Sequence, residues 1–185
     1  MKLLHRHKLI WKKVVPAIKL KEGDGFMKKL LVVDLQKQFQ DEGSVQYNKC
    51  LNFVKESMSE FDYTVATLFR QSEDNMNYIR HLQYADCIDT TVKDLEFYSE
   101  PFKGTVLVKH GYGTPELSQY INKDDEVTVV GCDTDACVLA LCFQLWDMGV
   151  NFEVLTDYVY TTSTNKAVVD GSIEIMKRNF GDCVK

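Results

Sequence analysis

Three residues of this chain, Asp34, Lys109 and Cys137, combine side-chain types and positions suited to covalent catalysis. Asp34 ends the run Leu30–Val33, Lys109 ends the run Thr105–Val108, and Cys137 lies in the turn or first helical turn after Glu126–Val130. A thiol attacks a carbonyl as the thiolate, and its pKa falls beside a cation or at a helix start. Lys109 supplies the cation and the expected helix start supplies the dipole, so the spacing predicts an activated thiol. Asp34 stands where a carboxylate can take the thiol proton and later hand it to a departing amine. The bend Gly131–Thr134 can aim backbone N–H groups at a developing oxyanion, an effect of roughly 10² to 10³ in rate per donor. Taken singly, an Asp after a strand is commonly a turn residue. A Lys at a strand end is usually solvated, and a Cys in a helix is usually inert core. Their agreement in position is the argument for chemistry.

The elements that must carry this trio alternate strand and helix. Leu30–Val33 lacks in–out alternation, as expected of a strand covered on both faces. Residues 46–60 place Cys50, Phe53, Val54, Met58 and Phe61 on one helical face. Tyr63–Phe69, Thr105–Val108, Glu126–Val130 and Phe152–Leu155 read as four further strands. A short helix is expected from Pro115, since proline suits a first turn. A second is expected over 135–148 with Gly149 as its C-cap, and a last over 165–178, closed by Gly181. Residues 70–103 carry no clear assignment. Strands alternating with helices predict one α/β domain, a three-layer Rossmann-like fold with a mostly parallel sheet of five to six strands and helices on both faces. In such sheets ligands bind at the carboxyl ends of the strands, and Asp34, Lys109 and Cys137 all fall on that edge.

Composition bounds the rest. The chain has 185 residues, 45 % of them hydrophobic and 26 % charged, which suits one globular domain with a real core. Residues 1–21 hold seven Lys or Arg and no acid, whereas the remainder carries 15 basic against 27 acidic residues. An acidic body argues against a nucleic-acid partner. No run approaches the roughly 20 apolar residues of a membrane helix. Residues 1–26 therefore read as a basic N-terminal extension, a leader or a surface-lying amphipathic segment, ahead of a domain over 27–185. Several of the six cysteines, Cys132 and Cys142 among them, lie in apolar runs, so a reducing cytoplasm is expected rather than a disulfide scaffold. A thiol redox pair of Cys132 and Cys137 is disfavoured by its C-x-x-x-x-C spacing.

Four segments resemble the isochorismatase-like cysteine hydrolases. Leu31–Phe39 is similar to that family's strand followed by Asp-x-Gln-x-x-Phe, and Val106–Tyr112 to its strand ending in Lys. Val129–Val138 is similar to its Gly-x-x-Thr-Asp-x-Cys-Val signature, and Val154–Tyr158 to the strand that follows. The resemblance implies a six-stranded sheet, with Asp34, Lys109 and Cys137 as catalytic triad. It also implies a cis peptide between Cys132 and Asp133, an oxyanion hole from the amides of Asp133 and Cys137, and a dimer or tetramer. Retention of the cysteine points to cleavage of a C–N bond in a small amide, ureide or carbamoyl compound. The alternatives are an isochorismatase-type vinyl ether hydrolase or a non-catalytic binding protein on the same fold. Nicotinamidases of this family carry an Asp-x-His pair and a further His that bind a metal. Here the segment reads Phe69-Arg70-Gln71-Ser72-Glu73-Asp74-Asn75 with His81 as the one histidine nearby, so neither metal nor other cofactor is expected. Phe39, Tyr78 and Tyr112 are the candidate walls of the substrate pocket.

Overall fold

The computed structural model describes residues 26–72 and 76–185, so all but the last residue of the basic extension lies outside the described residues. Five parallel strands form one sheet in the order β3-β2-β1-β4-β5. They are β1 (Lys28–Val33), β2 (Tyr63–Phe69), β3 (Gly104–Lys109), β4 (Glu126–Cys132) and β5 (Asn151–Tyr160). The helices are α1 (Val45–Ser57), α2 (Met76–His81), α3 (Cys137–Asp147) and α4 (Lys166–Phe180).

The unbroken apolar run of β1 is explained by the layers on either side. Leu31 and Val33 face a core built with Leu141 and Leu145 of α3 and Met176 of α4. Leu30 and Val32 face a second core built with Tyr47, Cys50 and Val54 of α1. The expected helix over 165–178 runs to Phe180, with the Asn165 side chain accepting from the Ala167 N–H at its start. Gly149 takes φ 69° just beyond α3, the left-handed conformation that glycine adopts at no steric cost.

Two expectations are adjusted. The fifth strand extends five residues past Leu155 because its register against β4 shifts between Val129 and Gly131, which lets Val159 and Tyr160 resume pairing. The sixth strand is reduced to one parallel bridge, Val154 to Val184, with the Lys185 N–H donating to Val154 O at 2.9 Å. The 70–103 segment, unassigned from sequence, holds α2 and a single turn at Val92–Asp94 closed by a Thr91/Asp94 capping box.

At the edge of the sheet opposite the catalytic trio, Lys29 is fully buried, with its ammonium 2.7 Å from Asp125 and donating to Tyr120 O at 2.8 Å. Breaking such a pair strands a charge without solvent. Asp125→Ala should therefore lower unfolding free energy by about 3–5 kcal/mol, measurable by urea titration of the two proteins. Among the described residues no helix is long and apolar enough to cross a membrane, and all six cysteines are free.

Candidate active site

The three candidate catalytic residues converge at the carboxyl edge of the sheet. Lys109 is the last residue of β3, and its side chain projects toward the α3 layer, as does that of Leu107 two residues earlier. Its ammonium lies 2.7 Å from Asp34 Oδ2 and 3.1 Å from Cys137 Sγ, and donates to Gly111 O at 2.7 Å. Both Lys109 and Asp34 are excluded from solvent, and Cys137 is buried.

Asp34 reaches this side of the sheet by breaking the strand pattern. Val33 faces α3, so continued alternation would send the Asp34 side chain toward α1. Its φ of 44° ends the strand instead. Its carboxylate then accepts from Thr67 Oγ1 at 2.7 Å, while its own N–H donates to the same hydroxyl at 3.1 Å. A non-glycine residue in the left-handed region costs of the order of 1 kcal/mol and persists where the surroundings impose it. Oδ2 lies within ion-pair distance of Lys109 yet has no aligned hydrogen bond. That leaves a lone pair free to take a proton.

Cys137 is the first residue of α3, where the N–H groups have no intrahelical acceptor. The preceding bend starts at Gly131, with φ 118°, where a Cβ would lie 2.1 Å from Val33 O. Only glycine allows β4 to approach β1 so closely before turning away. The Cys132–Asp133 peptide is cis. The Thr134 N–H donates to Tyr160 O, and the Ala136 and Val138 N–H groups donate to Asp133 O. Among the described residues the Asp133 and Cys137 amides donate to no protein acceptor, and they are the two N–H groups that the family resemblance implies for the oxyanion. The Asp133 side chain is used elsewhere, accepting from the Thr162 N–H at 2.7 Å and its hydroxyl at 3.1 Å.

The electrostatics depart from the sequence expectation. From sequence, Lys109 and the helix start predict an acidified thiol. Instead, burial first and the Asp34 carboxylate second push the Cys137 pKa well up, and the opposing pull of Lys109 does not offset them. In the resting site the sulfur holds its proton. For Lys109, burial alone would lower the pKa, but Asp34 and Cys137 outweigh it and the ammonium is held. At rest the Lys109 ammonium thus faces a neutral thiol.

Burial pushes the Asp133 carboxyl up to about 6, against the lowering by its Thr162 hydrogen bonds. The folded protein therefore binds more protons than the unfolded chain between about pH 4 and 6, and this group's contribution to stability falls as pH rises through that window. Asp133→Asn should remove a fall on the order of 2 kcal/mol. Urea midpoints of both proteins from pH 4 to 7 check it.

The pocket candidates are joined by a residue that sequence reasoning passed over. Phe69 lies under the Lys109 ammonium, 5.2 Å from ring centroid to Nζ. Its ring is 6.0 Å from Phe39 and 5.3 Å from Tyr78, which in turn is 5.8 Å from Tyr112. These four aromatics form a row from the ion pair to the surface, where Tyr112 is half exposed and Tyr78, His81 and Leu82 line an open depression. Thr67 and Phe69 were legible in principle, since alternation in β2 puts both on the face of Val65. Asp157, in the fourth resembling segment, is exposed and pairs with Lys49 at 3.1 Å, a surface contact of little energetic weight.

The described residues do not fit a cation at the end of β2. Phe69 occupies the strand end, the Arg70 guanidinium donates twice to Thr90 O at 2.7 and 2.5 Å, and the Gln71 amide donates to Tyr84 O. Among the described residues no three His, Cys, Asp or Glu side chains are grouped to hold a metal; residues 73–75 lie outside them.

Comparison with known proteins agrees with the fold. The isochorismatase domain family model matches residues 28–185. Nicotinamidase PncA from Bacillus subtilis superposes with a TM-score of 0.65 at 16 % identity, over 85 % of this chain and 98 % of that one. An isochorismatase-like hydrolase from Alkaliphilus metalliredigens gives 0.67 at 11 % identity, over 82 % and 91 %. MAR1 ribonuclease from Caenorhabditis elegans gives 0.56 at 18 % identity, over 83 % and 73 %. No match to a curated protein was found. At these identities the structures speak for the fold alone, and the family model for membership. The chain belongs to the isochorismatase domain family of hydrolases.

Proposed function

We propose that this protein is a cysteine hydrolase that cleaves a C–N bond in a small amide, ureide or carbamoyl compound through an acyl group carried on Cys137. The observation that carries this reading is the buried chain of contacts from Asp34 through Lys109 to the Cys137 sulfur, 2.7 and 3.1 Å long. A structural cysteine has no use for a desolvated ion pair at its sulfur, whereas a nucleophile does.

The neutral resting thiol assigns the order of events. Asp34 takes the Cys137 proton as the sulfur pair forms the C–S bond to the substrate carbonyl, and the C=O pair moves onto oxygen. The Asp133 and Cys137 amides receive that oxyanion. The Lys109 ammonium offsets negative charge that passes between carboxylate and sulfur but keeps its own protons. Collapse breaks the C–N bond, and the amine leaves with the proton from Asp34. Water then gives a proton to Asp34 and adds to the thioester carbon, and the C–S bond breaks as the proton returns to sulfur. No charge leaves or enters the site across the cycle.

Small amides, ureides and carbamoyl compounds, offered separately and read by ammonia release, test the reading. The expected result is saturable ammonia release from at least one of the three classes. Release from none, with the protein folded, would remove the proposal.

A further inference from the structure

We propose that Gln71 is a specificity residue for the reaction above, its side-chain carbonyl accepting an N–H that the substrate carries beside the cleaved bond, which narrows the substrate to a ureide, R–NH–CO–NH₂. The inference rests on the hydrolase reading and names which of its substrate classes the site takes.

Gln71 is almost fully buried, at 1 % exposure, and its Oε1 has no hydrogen-bond partner among the described residues. Its orientation is fixed by the other end of the amide, since Nε2 donates to Tyr84 O at 3.0 Å. Exchanging the two amide atoms would set a carbonyl against a carbonyl. A buried acceptor with no donor is costly to keep, and native structures retain few without a reason.

Its position supplies the reason. β2 continues in extended form beyond Phe69, because the Arg70 N–H donates to Lys109 O at 2.9 Å and the Gln71 N–H donates the opposite way, to Cys87 O at 3.0 Å. Alternation therefore sets Thr67, Phe69 and Gln71 on one face. The first of these holds the Asp34 carboxylate and the second lies under the Lys109 ammonium. Gln71 is the next step outward along the same row. Gln36, two residues past Asp34, looks similar but differs in use. Both ends of its amide are spent on the backbone of Phe69, at 2.8 and 3.1 Å. Gln71 alone of the pair offers a free acceptor.

The chemistry required of the ligand follows. Cys137 and the oxyanion amides engage the carbonyl, and Asp34 serves the leaving nitrogen. An acceptor one step away calls for a donor on the other substituent of that carbonyl. A simple carboxamide has carbon there and a carbamate ester has oxygen, whereas a ureide has N–H. Sites built to accept a hydrogen bond reject isosteres that lack the donor far more strongly than apolar sites discriminate size.

Benzylurea and benzyl carbamate form an isosteric pair differing in that one group, N–H against O. Their binding to the full-length Cys137→Ala protein, measured by calorimetry, removes differences in reactivity. Benzylurea should bind about tenfold tighter or more, and the added change Gln71→Met should bring the two within about threefold by weakening benzylurea alone. Gln71→Leu, a second apolar replacement of similar size, should give the same loss of preference, and circular dichroism of each variant against the parent guards against a Met variant that fails to fold. Equal binding of the pair, binding of neither, or a preference unchanged in Gln71→Met would overturn the assignment. A water held permanently by Gln71 would give that last result. Ammonia release from simple amides but not from ureides sinks this inference and leaves the hydrolase reading intact; release from nothing sinks the hydrolase reading itself.

Discussion

Cys137→Ala is expected to lose all measurable turnover, a fall of about 10⁴-fold or more in kcat, while its urea midpoint changes little. The substitution removes a buried sulfur of modest size at the start of α3, where alanine is a good helix former. The packing cost of one sulfur atom is of the order of 1 kcal/mol, well short of unfolding a domain with two cores. Binding of substrate should survive, because the aromatic row, Asp34 and the oxyanion amides are untouched. A variant that kept even a hundredth of the activity would require a nucleophile other than this sulfur. Progress curves for ammonia release, together with calorimetric titration of the unreacted substrate, check both halves of the expectation.

The second large effect concerns the ion pair, where catalysis and stability can be separated. Lys109→Met should abolish turnover and also lower unfolding free energy by about 3–5 kcal/mol, since it leaves the fully buried Asp34 carboxylate without its counter-charge. Asp34→Asn alone leaves the ammonium beside a neutral amide and should cost a similar amount. The double variant Asp34→Asn, Lys109→Met carries no buried charge, and it should recover most of the stability while remaining inactive. Buried pairs replaced together by neutral groups are often no less stable than the original. Stability that failed to return in the double variant would mean that the pair organises the fold; activity that returned would mean that it is not part of the chemistry. Urea titrations and ammonia release on the four proteins of this cycle make the measurement.

How much of this was legible in the sequence depends on how local each signal was. The strands β2 and β4 begin where the apolar pattern begins, and Asp34, Lys109 and Cys137 could be set on one edge because strand ends in parallel sheets share an edge. Two kinds of information were not local. The extension of β5 to Tyr160 depends on a register shift opposite Gly131, a property of the neighbouring strand and not of residues 156–160. The protonation of Cys137 depends on burial, which a sequence pattern does not weigh. A cation and a helix start both argue for a thiolate, and desolvation outweighs them. Gln71 lay in the segment that resisted assignment, because its role comes from β2 alternation carried two residues past the strand and from Cys87 and Tyr84 folding back over it. Phe39, Tyr78 and Tyr112 were recognisable as aromatics with room to act, but Phe69, which joins them to the ion pair, reads from sequence as one more buried strand residue.

The resting thiol alters what activation means here. A cysteine that is already a thiolate alkylates quickly with any small electrophile. This one should do so slowly at neutral pH and should react with a carbonyl held against the Asp133 and Cys137 amides, because Asp34 removes the proton only as the C–S bond forms. Selectivity would then rest on the fit of the substrate in the aromatic row and against Gln71, not on a generally reactive sulfur.

The central claim is an acyl group on Cys137. Once a turned-over substrate is in hand, acid quenching during steady-state turnover followed by peptide mass spectrometry tests it most directly. The account predicts a mass increase equal to the acyl portion on the peptide containing Cys137, absent from the Cys137→Ala protein and chased away as substrate runs out. Ammonia release at full rate with Cys137 unmodified throughout, or an adduct on a different residue, would contradict it.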